Sequence, residues 1–157
     1  MSGVAQFSFL PANEAAAFAE DIRRIVDELA GALRQEQRAY SGEYRPHVDV
    51  RETDEAVEIL LDAPGIPPGA LRVLVRDDVL IVAGEKAPAQ SPAGEAFHLV
   101  EREFGRFARA LRLPGAFDLA RTRATLRDGE LSIVLPKMPE RRGQTHRIPV
   151  TGPDDRP

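Results

Sequence analysis

The chain has 157 residues, no cysteine and a formal net charge of −4. It is long enough for one modest domain with appendages, a disulfide framework or thiolate site is excluded, and the arginines are interleaved with acids so that no basic face for nucleic acid forms. No charged-apolar-small pattern of a signal peptide opens the sequence, and no apolar run approaches the ~18 residues needed to cross a bilayer, so the expected address is cytoplasmic with no membrane partner.

In chain order, residues 1–44 read as an arm. Phe18, Ile22, Ile25, Leu29 and Leu33 recur at helical spacing, with Asn13 as the expected N-cap and Glu14 near the positive end of the helix. The resulting stripe is apolar on one side only. It has to be covered by its own domain, by another copy or by a partner, and the pattern does not choose among them.

Residues 45–137 are punctuated by turn chemistry at Thr53-Asp54-Glu55, Pro64 to Gly69, Asp77-Asp78, Pro114-Gly115 and Asp128-Gly129. Between the breaks the period is two. Val48 and Val50, then Val57, Ile59 and Leu61, then Leu71, Val73 and Val75, then Leu80 and Val82 each line one face. Short strands at this spacing, with no helical crossover, predict an all-β antiparallel sandwich whose inner faces bury those residues. Near its end, Ala124 and Leu126 alternate up to Asp128-Gly129, and Leu131, Ile133 and Leu135 alternate after it, which predicts a hairpin.

Residues 86–96 interrupt this pattern with alanine, proline, serine and glycine, so a projecting loop is expected, and Phe97-His98-Leu99-Val100 restores strand character beyond it. Residues 138–157 form an expected extension. Its segment Arg141 to Arg147 is too polar to pack, and Ile148-Pro149-Val150 follows. Pro149 presets an extended backbone, and alternation puts Ile148 and Val150 on one side as a pair of knobs suited to a groove at a sheet edge.

Nothing in the sequence points to catalysis. There is no Gly-x-Gly dinucleotide fingerprint, no Gly-Lys-Ser/Thr phosphate loop and no nucleophile elbow. His47, His98 and His146 lack metal-ligand spacing, and Glu101 and Glu103, alternating with Arg102, read as a solvated or subunit-contact face. No enzyme, cofactor or metal is expected.

The stretch Ala124 to Leu131 fits an alanine, three variable residues, a polar residue, glycine, one variable residue and leucine, and it follows Arg45 to Val50, Asp62-Ala63-Pro64-Gly65, Val79 to Glu85, Glu101 to Phe107 and Leu111 to Pro114 in order. From about residue 45 to residue 150 the chain thereby resembles the small heat-shock proteins, the α-crystallin family of ATP-independent chaperones. The resemblance implies an immunoglobulin-like sandwich, the α-crystallin domain, carrying a helical arm and a short extended tail. It implies a dimer in which the strand near Phe97, Leu99 and Glu101 pairs with His47, Val48, Asp49 and Val50 of a second copy, with Arg112 in an ion pair across the interface or else a plain surface charge. It implies that Ile148, Pro149 and Val150 dock on a neighbour in a groove involving Val73, Val75, Ala124 and Leu126. The expected activity is a holdase that captures partly unfolded clients, with Phe7, Phe9, Phe18, Ile22, Ile25 and Leu29 of the arm as client-contacting surface. ATP-dependent chaperones would refold what it releases. The competing expectation is a p23-like co-chaperone or adaptor that binds one folded partner.

Overall fold

A computed structural model of the chain describes residues 6–11, 14, 16–32, 44–88 and 92–139. The expected cap Asn13, together with Leu33, His146, Ile148, Pro149 and Val150, lies outside the described residues.

The alternating segments become strands β2 (Val48–Glu52), β3 (Ala56–Asp62), β4 (Leu71–Arg76), β5 (Val79–Lys86), β6 (Gly105–Arg112), β7 (Arg123–Arg127) and β8 (Glu130–Pro136), preceded by a two-residue strand β1 (Ser8–Phe9) and a helix α1 (Ala19–Ala32). They form two four-stranded antiparallel sheets: sheet I in the order β1-β6-β5-β4, and sheet II in the order β2-β3-β8-β7. Turn chemistry fixes the registers. Asp128 and Gly129 both take positive φ, 50° and 80°, the requirement of a type I′ turn, so Arg127 pairs with Glu130 and the β7–β8 hairpin closes as expected. At the β2–β3 turn the Thr53 hydroxyl accepts hydrogen bonds from the Ala56 and Glu55 amides, at 3.1 and 3.3 Å.

The period of two is realised in the core. Val57, Ile59 and Leu61 of β3 and Leu131, Ile133 and Leu135 of β8 are buried from sheet II, and Leu71, Leu80, Val82, Phe107 and Leu111 meet them from sheet I. Val48, Val50, Val73 and Val75 pack against the same cluster half-buried, as their places on outer strands dictate. Ile59 is 1% exposed, so Ile59→Val, which deletes one buried methylene, is expected to cost about 0.5–1.5 kcal/mol in urea denaturation with the slope unchanged.

Tyr44, which the residue pattern assigns to the arm, belongs to this core. Its ring meets Phe107 edge-on at 5.6 Å, its hydroxyl donates to the Asp62 carbonyl at 3.1 Å, and its amide donates to the Arg106 carbonyl at 3.4 Å. Arg109 adds a guanidinium hydrogen bond to the Pro46 carbonyl at 2.8 Å. The approach to β2 is thus tied to β6 of the opposite sheet. That puts β1 and β2 on one flank of the sandwich, with β4 and β7 as the outer strands of the other.

Candidate functional site

Four surfaces carry the residues that the sequence singles out. In the arm, α1 lies across the outer face of sheet I. Ile25 is 5% exposed, and Phe18, Ile22 and Leu10 pack beside it on Val79, Ile81 and Ala83 of β5, Leu74 of β4 and Ala110 of β6. Of the three possible covers for the stripe, the chain's own domain is the one seen. Phe7 packs half-buried on the main core, while Phe9 is 43% exposed with the Arg109 guanidinium 4.1 Å from its ring centroid. The side chain of Leu29 lies outside the described residues. A short turn of 3-10 helix, Ala16–Phe18, leads into α1, whose first turn carries Glu20 and Asp21.

Ion pairs flank this contact. Arg76 of β4 pairs with Asp21 of α1, and Arg112 of β6 pairs with both Glu14 of the arm and Asp78 at 2.7 Å. Hydrogen bonds to these carboxylates raise the pKa of each guanidinium further above its already high ordinary value: from Asp21 for Arg76, and from Glu14 and then Asp78 for Arg112. Within one chain Arg112 therefore joins arm to sheet.

The second surface is the loop before β6. In a single chain the segment from Phe97 to Glu101 forms no strand, and Phe97, Leu99 and Val100 are 73%, 74% and 62% exposed. The loop leaves from a fixed base. Lys86, the last residue of β5, is buried with its ammonium 4.4 Å from the Tyr44 ring centroid and 5.7 Å from that of Phe104, and desolvation lowers its pKa. Across the ladder, Arg106 pairs with the buried Glu85 at 3.3 Å.

The third surface is the outer edge of β2. Its residues pair with β3 on one side, Val48 with Leu61 through Glu52 with Val57, and among the described residues no strand pairs with its other side. Asp49 is exposed and Val48 and Val50 are half-buried there, preceded by exposed His47. An open ladder edge and an exposed apolar segment sit in the same chain, each without a strand partner among the described residues.

The fourth surface lies between the outer strands of the far flank. Val73 and Val75 on β4 and Leu126 on β7 all pack half-buried against the main core, so they line the gap between the sheet edges, while Ala124 is exposed on β7. Three of the four residues expected in a tail-docking groove thus converge on one cluster.

The residue spacing also carries the signal of a second apolar face on β5. Val79 to Ala83 is a continuous apolar run, the mark of a strand covered on both faces, and its odd members are the floor beneath α1. The pairing of Arg76 with Asp21 spans 55 residues and left no local signal. Among the described residues, no group of three or more His, Asp or Glu side chains could hold a metal ion, no buried side-chain nitrogen or oxygen lacks a hydrogen-bond partner, and no helix is long and apolar enough to cross a membrane.

The Hsp20/alpha crystallin family model matches residues 49–151. The chain is 36% identical over 106 residues to the 18.1 kDa class I heat shock protein of Arabidopsis thaliana, a match covering 67% of this chain and 66% of that protein. It is 31% identical over 134 residues to the 16.9 kDa class I heat shock protein 1 of Triticum aestivum, covering 85% and 86% respectively. The fold superposes on a small heat-shock protein from Xylella fastidiosa with a TM-score of 0.61 at 31% identity, covering 69% of this chain and 98% of that one. Two sheets in the observed order, the alanine-to-leucine hairpin and the match over most of the β domain agree, and the chain belongs to the Hsp20/alpha crystallin family, the small heat-shock proteins.

Proposed function

We propose that the chain is an ATP-independent holdase that binds partly unfolded proteins on apolar surface and keeps them from aggregating. Family membership carries this reading. It is supported by the strip of Phe97, Leu99 and Val100, which a chain acting alone would leave in water. The mechanism is mass action: unfolding clients expose apolar segments and strand edges, and a second apolar surface at comparable concentration competes with client self-association. No nucleotide step enters, and released clients pass to ATP-dependent chaperones.

The working unit in this reading is a dimer. The segment from Phe97 to Glu101 of one copy adds to the β2 edge of the other around His47, Val48, Asp49 and Val50, and the exchange in both directions satisfies two edges and two apolar strips at once. The tail residues Ile148, Pro149 and Val150 seat between β4 and β7 of a neighbouring copy, against Val73, Val75 and Leu126, and extend the assembly. Of the arm residues Phe7, Phe9, Phe18, Ile22, Ile25 and Leu29, Phe9 is exposed in the closed arrangement, whereas Ile25, buried between α1 and sheet I, meets client only after the arm leaves the sheet.

Turbidity of a heat-labile client during warming tests the proposal, with this chain at comparable molar amounts and no nucleotide. The expected result is suppression, with assembly size altered by deleting residues 148–150. Turbidity unchanged by the intact chain would sink the holdase and favour the p23-like adaptor.

A further inference from the structure

The outer face of sheet I has two properties beyond shielding its own strand. Its floor is an apolar trough: Val79, Ile81 and Ala83 run along β5, 1%, 0% and 0% exposed, bordered by Leu74 on β4 and by the small Ala108 and Ala110 on β6. Its end is cationic. The register pairs Arg76 with Val79 and Val79 with Arg112, so the two arginines stand in one cross-strand row, one on either side of the floor. Each meets a carboxylate of the arm, Asp21 and Glu14. An amphipathic helix laid into an apolar groove, with charges placed to match its rim, is a general mode of peptide recognition.

We propose that this face is a helix-docking site, filled by the chain's own arm when closed and open, when the arm lifts, to amphipathic client helices. The favoured client carries aliphatic side chains at the spacing of Phe18, Ile22 and Ile25 and carboxylates where the arm has Glu14 and Asp21. The proposal deepens the holdase reading and rests on it for the word client. The arm acts as an internal competitor. Its hold combines a short apolar stripe with pairs whose arginines are 53% and 43% exposed, so each pair adds little and salt screens both. Exchange of one helix for another conserves the contacts and needs only a modest difference in affinity.

The probe is a fluorescent synthetic peptide of residues 14–32, titrated into the full chain and into the full chain carrying Glu14→Gln and Asp21→Asn. Those substitutions loosen the arm and remove its carboxylates from Arg76 and Arg112, which keep Asp77 and Asp78 and can receive the peptide's own carboxylates in the vacated places. The peptide is expected to bind the substituted chain roughly five- to tenfold more tightly than the unaltered chain at low salt, with the difference collapsing at high salt. A peptide carrying the same two substitutions is expected to lose the advantage, and a photo-crosslinker at the Ile25 position to label β5. Equal affinity for the two chains, a scrambled peptide that binds as well, or crosslinks to Val73, Val75 and β7 on the far flank in place of the outer face of β5 would each overturn the site. Turbidity suppression without peptide discrimination overturns the docking site and leaves the holdase standing; discrimination without suppression keeps the site and overturns the holdase.

Discussion

Replacing Phe97 and Leu99 together by aspartate is expected to convert the proposed strand-exchanged dimer into a monomer while leaving the fold of the chain intact. Both side chains are about three-quarters exposed in the single chain, 73% and 74%, so their replacement costs that chain little; surface changes of this kind fall within about ±0.5 kcal/mol. In the proposed exchange the same positions would lie against the second copy's β2 edge. Twofold symmetry makes each substitution count twice, so four carboxylates are taken from water without partners. At ~1–3 kcal/mol for each polar group left unsatisfied, the dissociation constant rises by roughly a thousandfold or more. Light scattering coupled to size-exclusion chromatography measures the mass, and far-UV circular dichroism checks that the strands persist. A substituted chain that still elutes as a dimer would place the interface elsewhere.

Gly84→Val is expected to abolish folding, and Gly84→Ala to cost about 1–3 kcal/mol, the usual range for overpacking. A Cβ at this position would lie 2.7 Å from Cζ of Phe107 and 2.8 Å from the backbone oxygen of Ala70. Neither neighbour can yield cheaply. Phe107 is 6% exposed and wedged against Tyr44, and the Ala70 oxygen belongs to backbone at the entry to β4. The two further methyl groups of valine have no room, and several kcal/mol is a large part of the ~5–15 kcal/mol that stabilises a domain. The sign is informative. Without a clash, Gly→Ala stabilises by ~0.4–1 kcal/mol by restricting the unfolded chain, so a raised midpoint for Gly84→Ala in urea would show that the Phe107 ring and the Ala70 oxygen do not crowd this position.

Much of the fold was legible because its determinants are local. Alternation along β3 and β8 names the inward residues Val57, Ile59, Leu61, Leu131, Ile133 and Leu135, since successive side chains of a strand point to opposite faces. Asp128-Gly129 names the hairpin because only small or αL-tolerant residues fit positive φ at both central positions. Val73, Val75, Ala124 and Leu126 were named for a tail-docking groove through the family resemblance alone; that β4 and β7 are outer strands, with the first two and Leu126 half-buried and Ala124 exposed, came only from the sheet order. The helix was legible in its stripe, and its expected cap Asn13 lies outside the described residues. The 3-10 turn takes up Phe18, and α1 begins at Ala19.

What the sequence by itself determined is the content of the strands, their turns, the apolar stripe of the arm and the family, because each is written in neighbouring residues or in an ordered series of short motifs. Only the tertiary structure decided where the stripe goes, that Tyr44 belongs to the domain, and that Arg76 and Arg112 hold the arm. Those outcomes depend on which surfaces come together across 55 residues for Arg76 with Asp21 and 98 for Arg112 with Glu14. An amphipathic stripe records that it must be covered and says nothing of the cover. The choice follows from the second apolar face of β5, which becomes one surface only when β4, β5 and β6 are paired side by side.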